Sequence, residues 1–117
     1  MTRASPKLQP RLRILEAGKA AFGPGRAELL GHIARTGSIR SAAARMAMSY
    51  NRAWTLVKDL NRHFRRPLVE VRRGGGSGGG AALTASGRAV LERYSRMERA
   101  CHAATRSDWR AMRRLLR

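Results

Sequence analysis

Residues able to read a base edge or grip a phosphate are gathered between positions 49 and 77. Asn51, Arg52, Thr55, Lys58 and Arg62 follow Ser49 and Tyr50 at steps of one, three and four. Side chains three and four apart share one face of a helix. Asn and Arg match adenine and guanine edges bidentately, while Thr, Tyr and Lys more often hold phosphates. Between them Ala53, Leu56/Val57, Leu60 and Phe64 recur at helical spacing. A helix is therefore predicted from Tyr50 to about Phe64, with Ser49 as its N-cap. Its first-turn N–H groups would favour an anion as well. A polar helix face is ordinarily just solvated. This one follows an Ala-rich helix and a two-residue link, and precedes a basic, glycine-rich segment, which turns the reading toward nucleic acid.

That segment runs Arg72-Arg73-Gly74-Gly75-Gly76-Ser77-Gly78-Gly79-Gly80. A nucleotide-binding loop would need a Gly-Lys-Ser/Thr at its end, and none follows. A flexible interdomain linker is the competing reading. The alternation of Val69 and Val71 with Glu70 and Arg72 leads in as a strand. Ala81–Leu83 then returns as another before Thr84 starts a helix, which favours a β-ribbon. Its missing side chains let backbone approach a sugar-phosphate chain, with Arg72 and Arg73 supplying charge and Ser77 at the tip.

Other chemistries find little support. Cys101 stands alone, so no intramolecular disulfide forms, and no pKa-lowering partner is evident near it. His32, His63 and His102 lie far apart and match no zinc spacing. Seven acidic residues suggest neither a carboxylate metal cage nor an acid–base pair. No catalytic residue, metal or cofactor is expected.

The elements that must hold the polar face can be read from spacing. Met1–Pro10 reads as a disordered arm. Arg11–Glu16 alternates like a strand, and Ala17-Gly18 turns it into Lys19–Phe22, a hairpin preferred over a single helix because of Gly18. Pro24 suits a helix start, Leu29, Leu30 and Ile33 share a face, and Gly37 suits the left-handed stop. Ser38 caps a short helix, Ile39–Met46. Thr84 caps a long final helix in which Val90, Tyr94, Met97, Cys101 and Ala104 form a heptad seam, suited to packing along another helix. A second cap at Ser107-Asp108 would restart it. Trp54 is expected to pack on the preceding helix, and Trp109 on a partner or the chain's own core. The fold class is thus mainly α with small β. It is a winged helix-turn-helix over Arg11–Leu83 with an N-terminal hairpin and a glycine-rich wing, followed by a dimerisation helix, Thr84–Arg117.

At this level the chain resembles the N-terminal DNA-binding domain of the ModE, or molybdate-responsive, regulators. The resemblance lies in Gly25-Arg26, Leu29-Leu30, Ile33–Ile39, Ser41-Ala42-Ala43, Met48-Ser49-Tyr50, Ala53-Trp54, Leu60-Asn61, Leu68-Val69-Glu70, the glycine run and Ala82-Leu83-Thr84. It covers about Arg11 to Met97. The helix-turn-helix is more distantly similar to the LysR type. The resemblance implies a homodimer on palindromic promoter DNA. It places Ser49, Tyr50, Asn51, Arg52 and Thr55 on the recognition helix and Arg72–Gly80 on the wing. Ser77 stands where the family usually has Lys. Since the sequence ends at Arg117, no molybdate-binding module is expected in this chain, and molybdate sensing is not carried over.

The whole chain has 117 residues, 25 Lys+Arg against 7 Asp+Glu, and a net charge of +18. Such an excess repels itself and calls for an anionic partner. Double-stranded DNA is the expected one. No apolar run approaches the roughly eighteen residues of a membrane span, and no secretory signal opens the chain, so a cytoplasmic, nucleoid-associated location is expected. An alternative use of the charge is non-specific coating of DNA by a nucleoid-type or accessory protein. An RNA module is disfavoured by the lack of an aromatic stacking platform.

Overall fold

The structure is a computed structural model that describes residues 5–72 and 80–117. Strands β1 (Ile14–Glu16) and β2 (Lys19–Phe22) form an antiparallel hairpin. Helices α1 (Pro24–Thr36), α2 (Ile39–Arg45) and α3 (Tyr50–His63) follow. Strands β3 (Val69–Arg72) and β4 (Gly80–Leu83) pair antiparallel, and α4 (Ala85–Arg113) ends the chain. This is a winged helix-turn-helix with a long appended helix.

The local causes are visible at each junction. Ala17 and Gly18 both take positive φ, 52° and 77°, the pairing that two-residue hairpin turns require. Pro24 opens α1 and Gly37 closes it at φ 71°, its N–H returning to the Ile33 carbonyl. The hydroxyls of Ser38, Ser49 and Thr84 accept from the third N–H beyond each, Ser41, Arg52 and Gly87. The link between α2 and α3 turns on Ala47, at φ 52°.

The core lies where α1, α2, α3, the ribbon and the start of α4 converge. Phe22, Leu29, Leu30, Ile33, Val57, Leu60 and Leu68 are fully buried there. Phe22 meets Phe64 and Tyr94 edge to face, with centroids at 6.1 and 5.0 Å. Gly87 lets α4 cross the ribbon closely: a Cβ there would sit 2.1 Å from the Leu68 carbonyl oxygen. The radius of gyration is 17.4 Å, against about 13 Å for a compact domain of some hundred residues. The distal part of α4 projects from the body and accounts for the excess.

Four expectations change. Tyr94 does not face outward in the seam. It is buried against Phe22, and its hydroxyl donates to the Leu12 carbonyl at 2.7 Å. Burial, with Glu98 nearby, raises its pKa above the ordinary phenol value. Nor does α4 restart at Ser107-Asp108; it runs unbroken to Arg113, because a polar residue in an exposed helix leaves the backbone ladder intact. The third change is that Ile14 and Val71, each on the apolar side of an alternating strand, are 41% and 44% exposed. The two residues stand on separate two-stranded ribbons, and in neither does a second layer cover the whole of that side. Finally, β4 begins one residue earlier than its apolar pattern, at Gly80.

Candidate nucleic-acid interface

The polar face of α3 is held from beneath. Ala53, Val57 and Leu60 bury its opposite side, which fixes its rotation about its own axis. Asn51, Arg52, Thr55, Lys58 and Arg62 are consequently exposed. Thr55 ties its hydroxyl back to the Asn51 carbonyl at 3.0 Å, leaving the Asn51 side chain outward. Ser49 is exposed and serves as the cap. Tyr50 is half-buried, with the Arg40 guanidinium 4.3 Å above its ring. Lys58 lies 5.5 Å from the Trp54 ring, which is itself half-buried. Arg40, on α2, and Lys58, on α3, are both exposed at this surface.

Two residues that spacing did not single out organise this surface. Asp59 accepts from Arg26 at 2.6 Å and from Arg62 at 2.9 Å, with His63 Nε2 at 3.5 Å. The bond from Arg62, helped by Arg26 and His63 and opposed by burial, lowers its pKa below the usual carboxylate range. Asp59 thereby anchors α3 to the start of α1 and partly neutralises Arg62. Asn61 clamps the ribbon: its Oδ1 accepts from the Leu68 and Val69 N–H groups, and its Nδ2 donates to the Val69 carbonyl. An acid amid bases and an Asn at a helix end were the available signals, but neither names its partners.

The wing is set against the same body. Thr84 donates to the Pro67 carbonyl at 2.6 Å, and its N–H reaches the Leu68 carbonyl. Across the ribbon Ala81 N–H bonds the Gly37 carbonyl, 2.9 Å away. Arg72 is exposed at the far end of β3, paired with Gly80. Arg73 and Ser77 lie outside the described residues. The structure thus exposes the α3 residues on one helix face and holds the start of the ribbon to the end of α3 through Asn61.

The residues assigned to a dimer seam separate. Val90 and Met97 line an apolar groove of about 240 Å³ with Ile14, Phe22, Phe64 and Tyr94. Cys101 is half-buried and Ala104 is exposed farther along α4, while Tyr94 belongs to the chain's own core. Trp109 is half-buried beside Leu8, Thr105 and Met112. Among the described residues no helix is long and apolar enough to cross a membrane.

Residues 26–88 match the family model of the bacterial regulatory helix-turn-helix protein, lysR family. Over 87 residues the chain is 40% identical to the molybdenum-pterin-binding protein MopA of Rhodobacter capsulatus, covering 74% of this chain and 33% of that protein. It is 41% identical over 76 residues to the transcriptional regulator ModE of Haemophilus influenzae, covering 65% and 30%. The chain thus spans about a third of the length of the curated relatives it matches. Among solved structures it is similar to the CbnR DBD–DNA complex. There the TM-score is 0.56 and the identity 26%, over 74% of this chain and 95% of that one. The full-length regulator LysG of Corynebacterium glutamicum shares the fold, with a TM-score of 0.53 at 24% identity over 78% of this chain and 29% of that one.

Proposed function

Because the chain belongs to the lysR family of bacterial regulatory helix-turn-helix proteins, we propose that it is a sequence-specific transcriptional regulator that binds palindromic double-stranded DNA as a homodimer. In this reading α3 enters the major groove, which admits one helix. Asn51 and Arg52 meet base edges; Ser49, Tyr50, Thr55, Lys58, Arg62 and Arg72 hold phosphates, a role the sequence also gives Arg73 and Ser77. The observation that carries the proposal is the rigid, capped α3 whose polar face stands exposed beside the base of the ribbon. A cytoplasmic location goes with it. A coating protein would need charge but no oriented helix, and relatives named as regulators favour the specific reading over coating.

Footprinting on genomic fragments tests it. Discrete protected palindromes are expected, whereas uniform protection would favour coating. Asn51→Ala should cost about 1–3 kcal/mol of discrimination between specific and random duplex. Unchanged discrimination would mean that α3 does not read bases.

The dimer half of the proposal rests on the apolar groove at Val90 and Met97 and on the exposed α4 beyond it. In such a dimer the two recognition helices should meet successive major grooves about 34 Å apart, one turn of DNA. Light scattering at micromolar concentration should give twice the 13.0 kDa chain mass; a monomer overturns this half. Removing the residues after Arg96 should lower dimerisation and DNA affinity together, since linked half-sites reinforce each other.

A further inference from the structure

A pocket of about 250 Å³ opens between the hairpin, the start of α1 and the link from α2 to α3. Arg11, Arg13, Arg26 and Arg52 line it, and no acidic side chain does. Among the described residues, Arg11, Arg13 and Arg52 have no carboxylate within ion-pairing distance. Arg26 gives one terminal nitrogen to Asp59, yet its Nε is buried with no hydrogen-bond partner. The helix beginning here is also uncapped: Gly23 brings no side chain, and its first turn holds no acid. The N–H groups of Gly25 and Arg26 are first-turn donors without intrahelical acceptors. A Cβ added at Gly25 would meet nothing within 4 Å, so the space beside that residue is open.

Guanidinium groups stay protonated at any physiological pH, so four of them around one cavity repel each other until an anion enters. Their planar forks match the oxygens of phosphate-type groups, and a helix N-terminus adds the same preference. The volume falls below the roughly 300–1,000 Å³ of pockets for drug-sized ligands. One small anionic group suits it better than a larger molecule.

We propose that this pocket binds a single tetrahedral oxyanion of the phosphate type, held by Arg11, Arg13 and the Gly25 and Arg26 amides, with Arg52 at its rim. Such a group has two sources. Arg52 also stands on α3, so a backbone phosphate of duplex DNA flanking the recognition helix is one, and this source rests on the DNA-binding reading above. A free inorganic oxyanion is the other and does not depend on that reading.

Inorganic phosphate titrated into the full chain, followed by backbone amide NMR, should shift Gly25 and Arg26 saturably. The double variant R11Q/R13Q, altered only at exposed side chains, should keep its thermal melt and lose that response. Duplex DNA separates the sources. Displacement of phosphate by DNA, with the slope of log affinity on log salt falling by about 0.9 in the variant, the value for one neutralised phosphate, identifies a backbone phosphate. Phosphate retained on the DNA complex with an unchanged slope identifies a free oxyanion site. A reduced slope without a phosphate response supports the backbone source alone. Shifts that do not saturate, together with an unchanged slope, overturn the proposal. Should the wild-type chain fail to bind DNA, the regulator reading falls while the phosphate titration still decides the pocket.

Discussion

Leu29, Leu30, Ile33, Val57 and Leu60 are wholly buried in the helix-turn-helix body, whereas no residue of α4 beyond Tyr94 is buried. Both regions carry apolar side chains at steps of three and four. In the body these steps meet one another across three helices and a ribbon. In distal α4, Met97 and Met112 remain 46% and 60% exposed, with polar and charged neighbours between them. Apolar spacing thus says that a face prefers cover; it does not say whether the same chain supplies it. The body closes on itself, whereas distal α4 is covered only in part, with Leu8 of the N-terminal segment beside Trp109 and Met112.

Substitutions can break or sharpen that contrast. The largest effect is expected at Leu60→Ala, which should lower the unfolding free energy by about 2–5 kcal/mol in urea titrations, from lost transfer energy plus a cavity. Met112→Ala should stay within about 0.5 kcal/mol, as exposed positions do. If the two cost the same, distal α4 is covered in solution and the contrast collapses.

A smaller loss is expected where the regions join. Gly87→Ala should cost about 1–3 kcal/mol by overpacking, because the new methyl would enter the Leu68 carbonyl. The better helix propensity of Ala offsets less than about 1 kcal/mol of this. A neutral result on the same urea titration would show that α4 slides freely over the ribbon.

The smallest effect is a pH dependence confined to the body. The folded-state pKa of Asp59 is depressed by Arg62, Arg26 and His63. Its stabilising contribution is therefore fully present above the unfolded carboxylate value, near pH 4, and is lost as pH falls through the folded value. Melting temperatures of Asp59→Asn should be lower than wild type near neutrality and converge with it in acid. Parallel curves would mean that the Arg26–Asp59–Arg62 cluster does not tie α1 to α3.

Much of this body was legible beforehand. Ser38, Ser49 and Thr84 announced three helix starts because a cap needs only a hydroxyl and the N–H groups of the next turn. Ala17-Gly18 announced the hairpin, and Gly37 the end of α1, for similarly local reasons. The polar set on α3 followed from periodicity, because a buried stripe dictates what lies opposite. The tie from Asp59 to Arg26 and the clamp of Asn61 on Leu68 and Val69 escaped notice, since these partners lie outside α3 and are joined to it only through folding. The Arg pocket escaped for the same reason: Arg11, Arg13, Arg26 and Arg52 are spread over 42 positions of the chain.

By itself the sequence determined the order of elements, their caps and turns, the exposed face of α3 and an overall charge that demands an anionic partner. These depend on neighbours within a few residues, or on simple totals. Only the tertiary structure decided which way Tyr94 points. Its place in the heptad suited an interface, but the aromatic edge of Phe22 and the Leu12 carbonyl, 82 residues earlier in the chain, take it inward. The tertiary structure likewise decided that Arg62 shares Asp59 with Arg26, and that four scattered arginines face one cavity. The Arg26–Asp59 pair and the arginine-lined cavity form between segments distant in sequence, where no local spacing can record them.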